Sequence, residues 1–359
     1  MKIDYVTITR FRNITTARLD FAPRLTLLVG NNGQGKTNLL EAIHVLLTGA
    51  SFRSPKDQEQ MITFSTDGVH ETNDMLNLEG VVHTSERGVL KLSHRMTRHP
   101  IKKRHDGPVL PVVIFSPEDV WLSKGAPQGR RKFLDWLIAP MDARYSRLFR
   151  QYHRALLQRN KALKTPALYE TITGFNPLLA QAGSYLWTSR LRILNEVVPL
   201  AREIFLELTG LNLDVSLTAG GSTHIAENPN DYQKLLLARQ ADEQQRGITL
   251  LGPHRDDLSF SIDGHSALAY ASQGQHRSIA LAMKLASFQV LETETGTTPV
   301  VLLDDVLSEL DPAKRSKLLR FIAGSRPQTV ITDTEARNYE NLEPAIYDIS
   351  LGNLAKREI

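Results

Sequence analysis

At 359 residues, 41% of them hydrophobic, the chain is long enough to bury one or two ordinary cores. It contains no cysteine, which excludes a disulfide framework and a thiolate metal site, and its 11 histidines show no ligand-like spacing. A net charge of +4 points only weakly to an anionic partner, so the placement of the basic residues matters more than their sum.

The N-terminus, MKIDYVTITRFRN, carries a charge every few residues and no apolar core segment, and no run approaches the roughly 18 apolar residues of a membrane span. This predicts a cytoplasmic protein with no membrane partner. The first strand is read from Ile3, Tyr5 and Ile8; a second, Arg24 to Val29, is nearly all apolar, as a strand buried on both faces should be. It ends on Gly30, and a glycine-rich turn leads into a helix whose Leu39, Leu40, Ile43, Leu46 and Leu47 follow the three-four spacing of one buried face. Strand, loop and helix in that order form a mononucleotide-binding unit.

Short apolar runs and turn signals between 51 and 115, Asp67-Gly68 and Asp106-Gly107 among them, predict an antiparallel layer of strands. Helices follow. One carries Tyr145, Leu148, Phe149, Tyr152, Leu156 and Leu163; a longer one carries Leu179, Ala182, Leu186, Leu194, Val197, Ile204 and Leu208 and stops at Gly210. A short strand over Leu211 to Leu217 and a helix around Tyr232 to Arg239 come next. Near Gly247 the pattern returns to strands, with Leu258, Phe260 and Ile262 alternating into an Asp263-Gly264 turn. A helix from Ser272, a strand ending at Asp304, a helix after Pro312 and a strand from Thr329 to Thr332 complete the prediction. There is no internal repeat, low-complexity tract or disordered linker.

Gly30-Asn31-Asn32-Gly33-Gln34-Gly35-Lys36-Thr37 fits G-x-x-x-x-G-K-[ST] in full, between strand and helix. Glycines let the backbone wrap closely, so its N–H groups and the helix N-terminus face phosphates; Lys36 would reach the β- and γ-phosphates and Thr37 would hold Mg²⁺. Val300 to Asp305 is an apolar strand ending in paired carboxylates, suited to present Asp304 to the metal and Asp305 to the attacking water, although an Asp pair at a strand end also serves turn chemistry. Ser272-Gln273-Gly274-Gln275 opens a helix and reads equally as a capping box. From Arg144 to Lys164 there are seven Lys or Arg (Arg144, Arg147, Arg150, Arg154, Arg159, Lys161, Lys164) and no acid, either a solvated basic face or a surface for DNA phosphates. A second acid-free stretch holds Arg95, Arg98, Lys102, Lys103 and Arg104.

Ser272-Gln273-Gly274-Gln275 before the acidic strand, and Ser308-Glu309-Leu310-Asp311 just after it, resemble the signature motif and D-loop of ABC ATPases. Thr37 and Asp304 are 267 positions apart, so the nucleotide fold is split by an insertion. Phe11-Arg12-Asn13, Ser51-Phe52-Arg53, Phe115 to Asp119, Arg130 to Asp135, Tyr152 to Asn160 and Gly252 to Leu258 resemble the RecF family in order and spacing, over nearly the whole chain. That resemblance implies an α/β head of the SMC/RecF-like ABC type, with a P-loop mixed sheet, an antiparallel β layer and an inserted, mostly helical lobe II. Lobe I would take residues 1–115 and 247–359, and lobe II residues 116–246.

The function so implied is ATP-dependent DNA binding in recombinational repair. A homodimer closed by ATP would clamp single-stranded, duplex or gapped DNA and promote RecA loading with RecO and RecR, supporting replication restart and the SOS response from a nucleoid-associated position. Hydrolysis, with ATP and Mg²⁺, would be weak and DNA-stimulated. Ser272, Gly274 and Gln275 of one subunit would cap the γ-phosphate on its partner's P-loop, making Ser272 catalytic together with Lys36 and Asp305. Arg12 and Asn13 would touch the nucleotide or only edge a strand; Arg130 and Arg131 would contact DNA or pair with carboxylates. Ser116 to Asp119 is the candidate switch, and Gly252 to Leu258 would position the signature helix. A transporter ATPase would carry a His where this chain has Thr332-Asp333-Thr334. The competing reading is an adaptor in which ATP is a structural clamp and no hydrolytic cycle is required.

Overall fold

The structure is a computed structural model that describes residues 1–53, 59–63, 75–98, 100–222, 224–336 and 344–357; the Asp67-Gly68 turn lies outside them. By contact the chain forms two compact units, residues 1–118 with 291–359, and residues 119–290.

The first unit begins with β1 (Lys2–Phe11) and β2 (Ile14–Asp20), an antiparallel hairpin turning at Arg12 and Asn13. Ile3, Val6, Ile8 and Phe11 are buried, and Tyr5 is only half-buried. A shift of register between Ile3 and Tyr5 inserts one residue, which moves the inward position from Tyr5 to Val6 and corrects the expected alternation. β3 (Leu25–Val29) is buried at every residue and feeds α1 (Lys36–Thr48). β4 (Met75–Thr84), β5 (Gly88–Thr97) and β6 (Lys102–Asp106) complete an antiparallel sheet in the order β2-β1-β4-β5-β6. β7 (Val112–Phe115) belongs to the other sheet of this unit.

The second unit runs through α2 (Trp121–Lys124), α3 (Pro127–Ile138), α4 (Ala143–Leu163), α5 (Asn176–Thr209), β8 (Leu213–Thr218), α6 (Pro229–Ala238), α7 (Gln240–Arg246), β9 (Asp257–Ile262), β10 (His265–Ser266) and α8 (Ala267–Tyr270) into α9 (Gln273–Thr295). It is mostly helical around a three-stranded antiparallel sheet, β10-β9-β8. Its centre is polar. The fully buried Asp256 accepts from Arg190 Nη1 at 2.7 Å, Trp187 Nε1 at 2.8 Å and the Gly220 N–H at 2.9 Å, while Arg190 also binds Asp135 and the Pro253 carbonyl, each at 2.7 Å. Tyr152 bridges His254 Nδ1 at 2.6 Å and Tyr232 at 3.2 Å. The Gly252 to Leu258 segment is therefore held by α4, α5 and α6, every buried charge finding a partner.

The chain returns to the first unit with β11 (Val300–Asp304), α10 (Val306–Glu309), α11 (Pro312–Ser325), β12 (Thr329–Asp333), β13 (Ala345–Ser350) and β14 (Asn353–Lys356). The sheet order is β14-β13-β3-β12-β11-β7, parallel throughout except for the antiparallel edge strand β14. α1 packs against β1, β4 and β5 of one sheet and β7, β11 and β12 of the other. Everything on it from Leu39 to Leu47 is buried, Glu41 and His44 included, where one apolar face was expected; a helix covered by two sheets has no solvent side to keep polar. Gln328, 3% exposed, joins the layers: its side chain accepts from the Ile3 N–H at 2.6 Å and donates to the carbonyls of Ile3 and Ala22, both at 2.9 Å.

Candidate nucleotide site

The parallel sheet brings the loop after β3 and the end of β11 together, as a buried parallel strand delivers its C-terminal residue to the sheet rim. Gly33 (φ +80°) and Gly35 (φ +111°) use left-handed backbone that other residues seldom adopt, and a Cβ on Gly30 would come within 2.5 Å of the Ile349 carbonyl oxygen. With these glycines the loop wraps Lys36. Its ammonium is buried, donates to the Gly30 carbonyl at 2.7 Å and to Asn32 Oδ1 at 3.4 Å, and lies 3.8 Å from Asp305.

Thr37 Oγ1 donates to Asp304 Oδ1 at 2.9 Å, and Thr332 Oγ1 donates to the same oxygen at 3.0 Å. Burial raises the Asp304 carboxyl above its ordinary value, opposed by these two hydroxyls. Asp305 is raised too, by burial and then by Asp333, against the pull of Lys36. Its backbone is left-handed (φ +49°) and its N–H donates to Thr332 Oγ1 at 2.9 Å, an uncommon conformation for a residue with a side chain and one concentrated at functional sites. Two oxygens, Thr37 Oγ1 and Asp304 Oδ1, thus meet at the loop, the hard donors that a Mg²⁺ ion takes. Residues far apart in sequence, Lys36, Thr37, Asp304 and Asp305, form one cluster as the sequence predicts.

Asn13 reaches the loop beside this cluster, and Arg12 turns to α1. Asn13 Nδ2 donates to the Gln34 carbonyl at 3.2 Å, and Arg12 is clamped by Glu41 through Nε at 2.5 Å and Nη2 at 2.8 Å. Glu41 escaped the sequence reading because it falls among the apolar residues of α1; a lone acid within an apolar run was the available signal.

At α9 the capping box is realised: the Ser272 N–H donates to Gln275 Oε1 at 2.7 Å and the Gln275 N–H to Ser272 Oγ at 3.2 Å. Ser272, Gln273 and Gly274 are exposed there. Ser308 Oγ donates to the Asp305 carbonyl at 2.8 Å, and Asp311 caps α11 through the Lys314 N–H at 3.0 Å. Of the switch candidates, Asp119 pairs with Lys284 at 3.1 Å.

The basic residues divide sharply. Arg147, Arg150, Arg154 and Lys161 are exposed at helical spacing on α4. Arg159 is not: it is fully buried, pairs with Glu243 at 2.7 Å and donates to Thr249 at 2.8 Å, so it leaves the expected DNA-contact set. Arg130 leaves it as well, being buried and bidentate to Asp257 at 2.5 and 3.0 Å. Arg131 is half-buried and donates to the Asp256 carbonyl at 2.7 Å. In the second acid-free stretch, Arg95 pairs with Glu79, brought alongside on β4 by the sheet, and Arg104 pairs with Asp106 two residues on along β6.

Residues 2–351 match the family described as the RecF/RecN/SMC N-terminal domain. The DNA replication and repair protein RecF of Geobacter sulfurreducens is 35% identical over 346 residues, covering 93% of each chain. That of Lactobacillus delbrueckii subsp. bulgaricus is 37% identical over 369 aligned positions, covering 97% of this chain and 95% of its own. Among solved structures, one of the recombination mediator protein RecF-ATP in the RecFOR pathway superposes with a TM-score of 0.86 at 29% identity, covering 99% of this chain and 97% of that one.

Proposed function

The chain belongs to the RecF/RecN/SMC family and to the RecF proteins within it, and from that premise we propose an ATP-dependent DNA-binding protein of recombinational repair. The observation that carries the proposal is the cluster of Lys36, Thr37, Asp304 and Asp305, in which the Thr37 hydroxyl and Asp304 Oδ1 meet at 2.9 Å.

In this reading the N–H groups of residues 30–37 and the N-terminus of α1 bind the phosphates of ATP, because unpaired backbone donors and the helix dipole favour anions there. Lys36 turns from the Gly30 carbonyl and Asn32 to the β- and γ-phosphates. Thr37 and Asp304 hold Mg²⁺, which when bound supplies charge neutralisation on the phosphates. Asp305 orients the attacking water and accepts its proton, a task helped by a carboxyl pushed above its usual range. Ser272, with Gly274 and Gln275, completes the site on a second copy's P-loop. The exposed N-terminus of α9 supports this assignment, since Ser272 Oγ accepts the cap bond and retains its own proton to donate. Ser308 and Asp311 shape the D-loop, and Ser116 to Asp119 form the switch.

ATP therefore closes a homodimer, and Arg147, Arg150, Arg154 and Lys161 contact DNA phosphates through the exposed face of α4. Hydrolysis, weak and DNA-stimulated, reopens it. RecO and RecR are the proposed partners in RecA loading at gaps, within recombination, replication restart and the SOS response, at the nucleoid. The proposed lobe I is residues 1–115 and 247–359, with lobe II between, whereas the contact units divide after residues 118 and 290. No helix among the described residues is long and apolar enough to cross a membrane.

The test is sedimentation with a gapped duplex, with and without ATP·Mg²⁺. ATP-dependent dimers on the DNA are expected; a monomer indifferent to ATP overturns the clamp.

A further inference from the structure

Gln34 gives the phosphate loop a second set of bonds, to which the mechanism above assigns no task. Its side-chain Oε1 accepts from the Leu351 N–H at 2.7 Å, and its backbone carbonyl accepts from the Gly352 N–H at 2.9 Å. The same carbonyl accepts from Asn13 Nδ2 at 3.2 Å. Asn13 is itself oriented, because its Oδ1 accepts from Asn38 Nδ2 on α1 at 2.8 Å. A single residue of the loop is thus held by donors from two turns at opposite ends of the chain.

Leu351 and Gly352 form the two-residue turn between β13 and β14, closed by the pairing of Ser350 with Asn353. β13 runs parallel to β3 with Asp348 beside Val29, so the turn arrives at the rim where the phosphate loop begins. Both turn residues have left-handed backbone, φ +50° and +82°, as a tight hairpin demands. Glycine adopts it freely, whereas leucine seldom does, and the Leu351 side chain is 75% exposed, with no core to hold it there. Uncommon backbone persists where its surroundings fix it, and here the bonds to Gln34 do so. A two-residue turn leaves the N–H groups at its tip outside the ladder; in this one both go to the loop. The approach is close enough that a Cβ on Gly352 would collide with the Asn13 carbonyl.

In a planar trans peptide the C=O and N–H point in opposite directions. With the Gln34 carbonyl held by Gly352 and Asn13, the N–H of Gly35 is turned away from both. Gly35 is the N-cap of α1, so that N–H belongs to a helix start, where donors favour anions. We infer that the Leu351-Gly352 turn positions the phosphate loop through Gln34: it fixes the Gln34–Gly35 peptide so that the Gly35 N–H is set for a phosphate oxygen before the nucleotide arrives. The inference rests on the P-loop reading above. Donors set in advance cost no reordering when the ligand binds, and the turn raises affinity by that saving.

By linkage, the docked turn and the nucleotide must favour each other by the same factor. The test on the full chain reads ATP·Mg²⁺ affinity by calorimetry and hydrogen exchange at the Leu351 and Gly352 N–H groups by NMR, with thermal unfolding as a control. Gln34→Leu removes the side-chain acceptor, and Gly352→Ala drives the turn off Asn13. Each is expected to weaken ATP by about three- to tenfold, the scale of one hydrogen bond. The double variant should be no more than about twofold weaker than the worse single, because both break one device. In the unaltered protein, saturating ATP should slow exchange at both N–H groups by the same factor of about three to ten. A lowered melting temperature with ATP affinity kept, full additivity of the two variants, or exchange indifferent to ATP overturns the inference and leaves the P-loop reading intact. If Lys36→Ala binds ATP like the wild type, that reading falls and the inference with it. Should Gly352→Ala fail to fold, the exchange measurement on the unaltered protein decides.

Discussion

The Thr37 hydroxyl donates to Asp304 Oδ1 at 2.9 Å, joining residues 267 positions apart. What makes that contact is the pairing of strands: β3 and β11 both flank β12, so the residues that follow them emerge at the same rim of the sheet. The contact links the loop that would grip phosphate to the acid pair that would act on it.

Lys36→Ala should remove the only ammonium within this loop. We expect ATP affinity to fall by roughly 10- to 100-fold, the value of a hydrogen bond to a charged group, and the ATP-dependent dimer to disappear. Nucleotide titration followed by sedimentation checks both.

Asp305→Asn should separate binding from turnover. The amide keeps the shape and removes the base, so ATP binding and the dimer persist while phosphate release stops. A machine that cycles would then stay locked on DNA and fail in repair; complementation of a repair-deficient strain by the variant would favour the adaptor reading, in which hydrolysis is incidental.

Ser272→Ala removes a helix cap, at a cost of about 1 kcal/mol, which thermal unfolding would register as a small shift. ATP binding by the monomer should be untouched and ATP-induced dimers lost. Normal dimerisation would reduce Ser272 to the capping box already visible in its bonds with Gln275.

Arg154→Ala and Arg159→Ala, five positions apart on α4, should behave oppositely. The first, exposed, is expected to weaken DNA binding evenly across sequences and to reduce the salt slope by about one, with stability unchanged. The second strands Glu243 in the core and should cost about 3–5 kcal/mol of stability. Salt-dependent binding and denaturant melts separate them.

Acid should destabilise each unit through a buried histidine. Burial lowers His94 to about 4 and His254 to about 3, whereas the unfolded chain titrates near 6.5. Between those values the unfolded state binds the extra proton, so stability is present above pH 6.5 and drains away as pH falls toward the folded values. From pH 7 to pH 5 each should cost about 2 kcal/mol. In denaturant melts at the two pH values, His94→Phe should flatten the part of the loss that belongs to the first unit.

Much of the candidate nucleotide site was legible because its parts are local. The glycine loop, its flanking strand and helix, and the acid pair ending an apolar strand each fit within ten residues, where spacing speaks directly. Glu41 was hidden because its partners come from the β1–β2 turn and from Ser51 and Arg53, and only the folded chain assembles them. Arg159 misled for the converse reason: a run without acids looks uniformly solvent-facing, yet the acid that pairs with it sits more than 80 residues later at Glu243. Tyr5 misled because a bulge changes which residues face inward without leaving a mark in the hydrophobic pattern.

Gln328 carries a consequence for how the first unit comes apart. With one amide it behaves as an extra rung of backbone, bonded to Ile3 in both directions and to Ala22. β12, into which Gln328 leads, cannot pull away from β1 without breaking both bonds to Ile3 inside the core. Amide exchange at the edge of the antiparallel layer should therefore keep pace with exchange in the nucleotide sheet, the two opening as one foldon, although they are separate sheets. A single glutamine thus ties the fate of the first strand of the chain to that of one of its last.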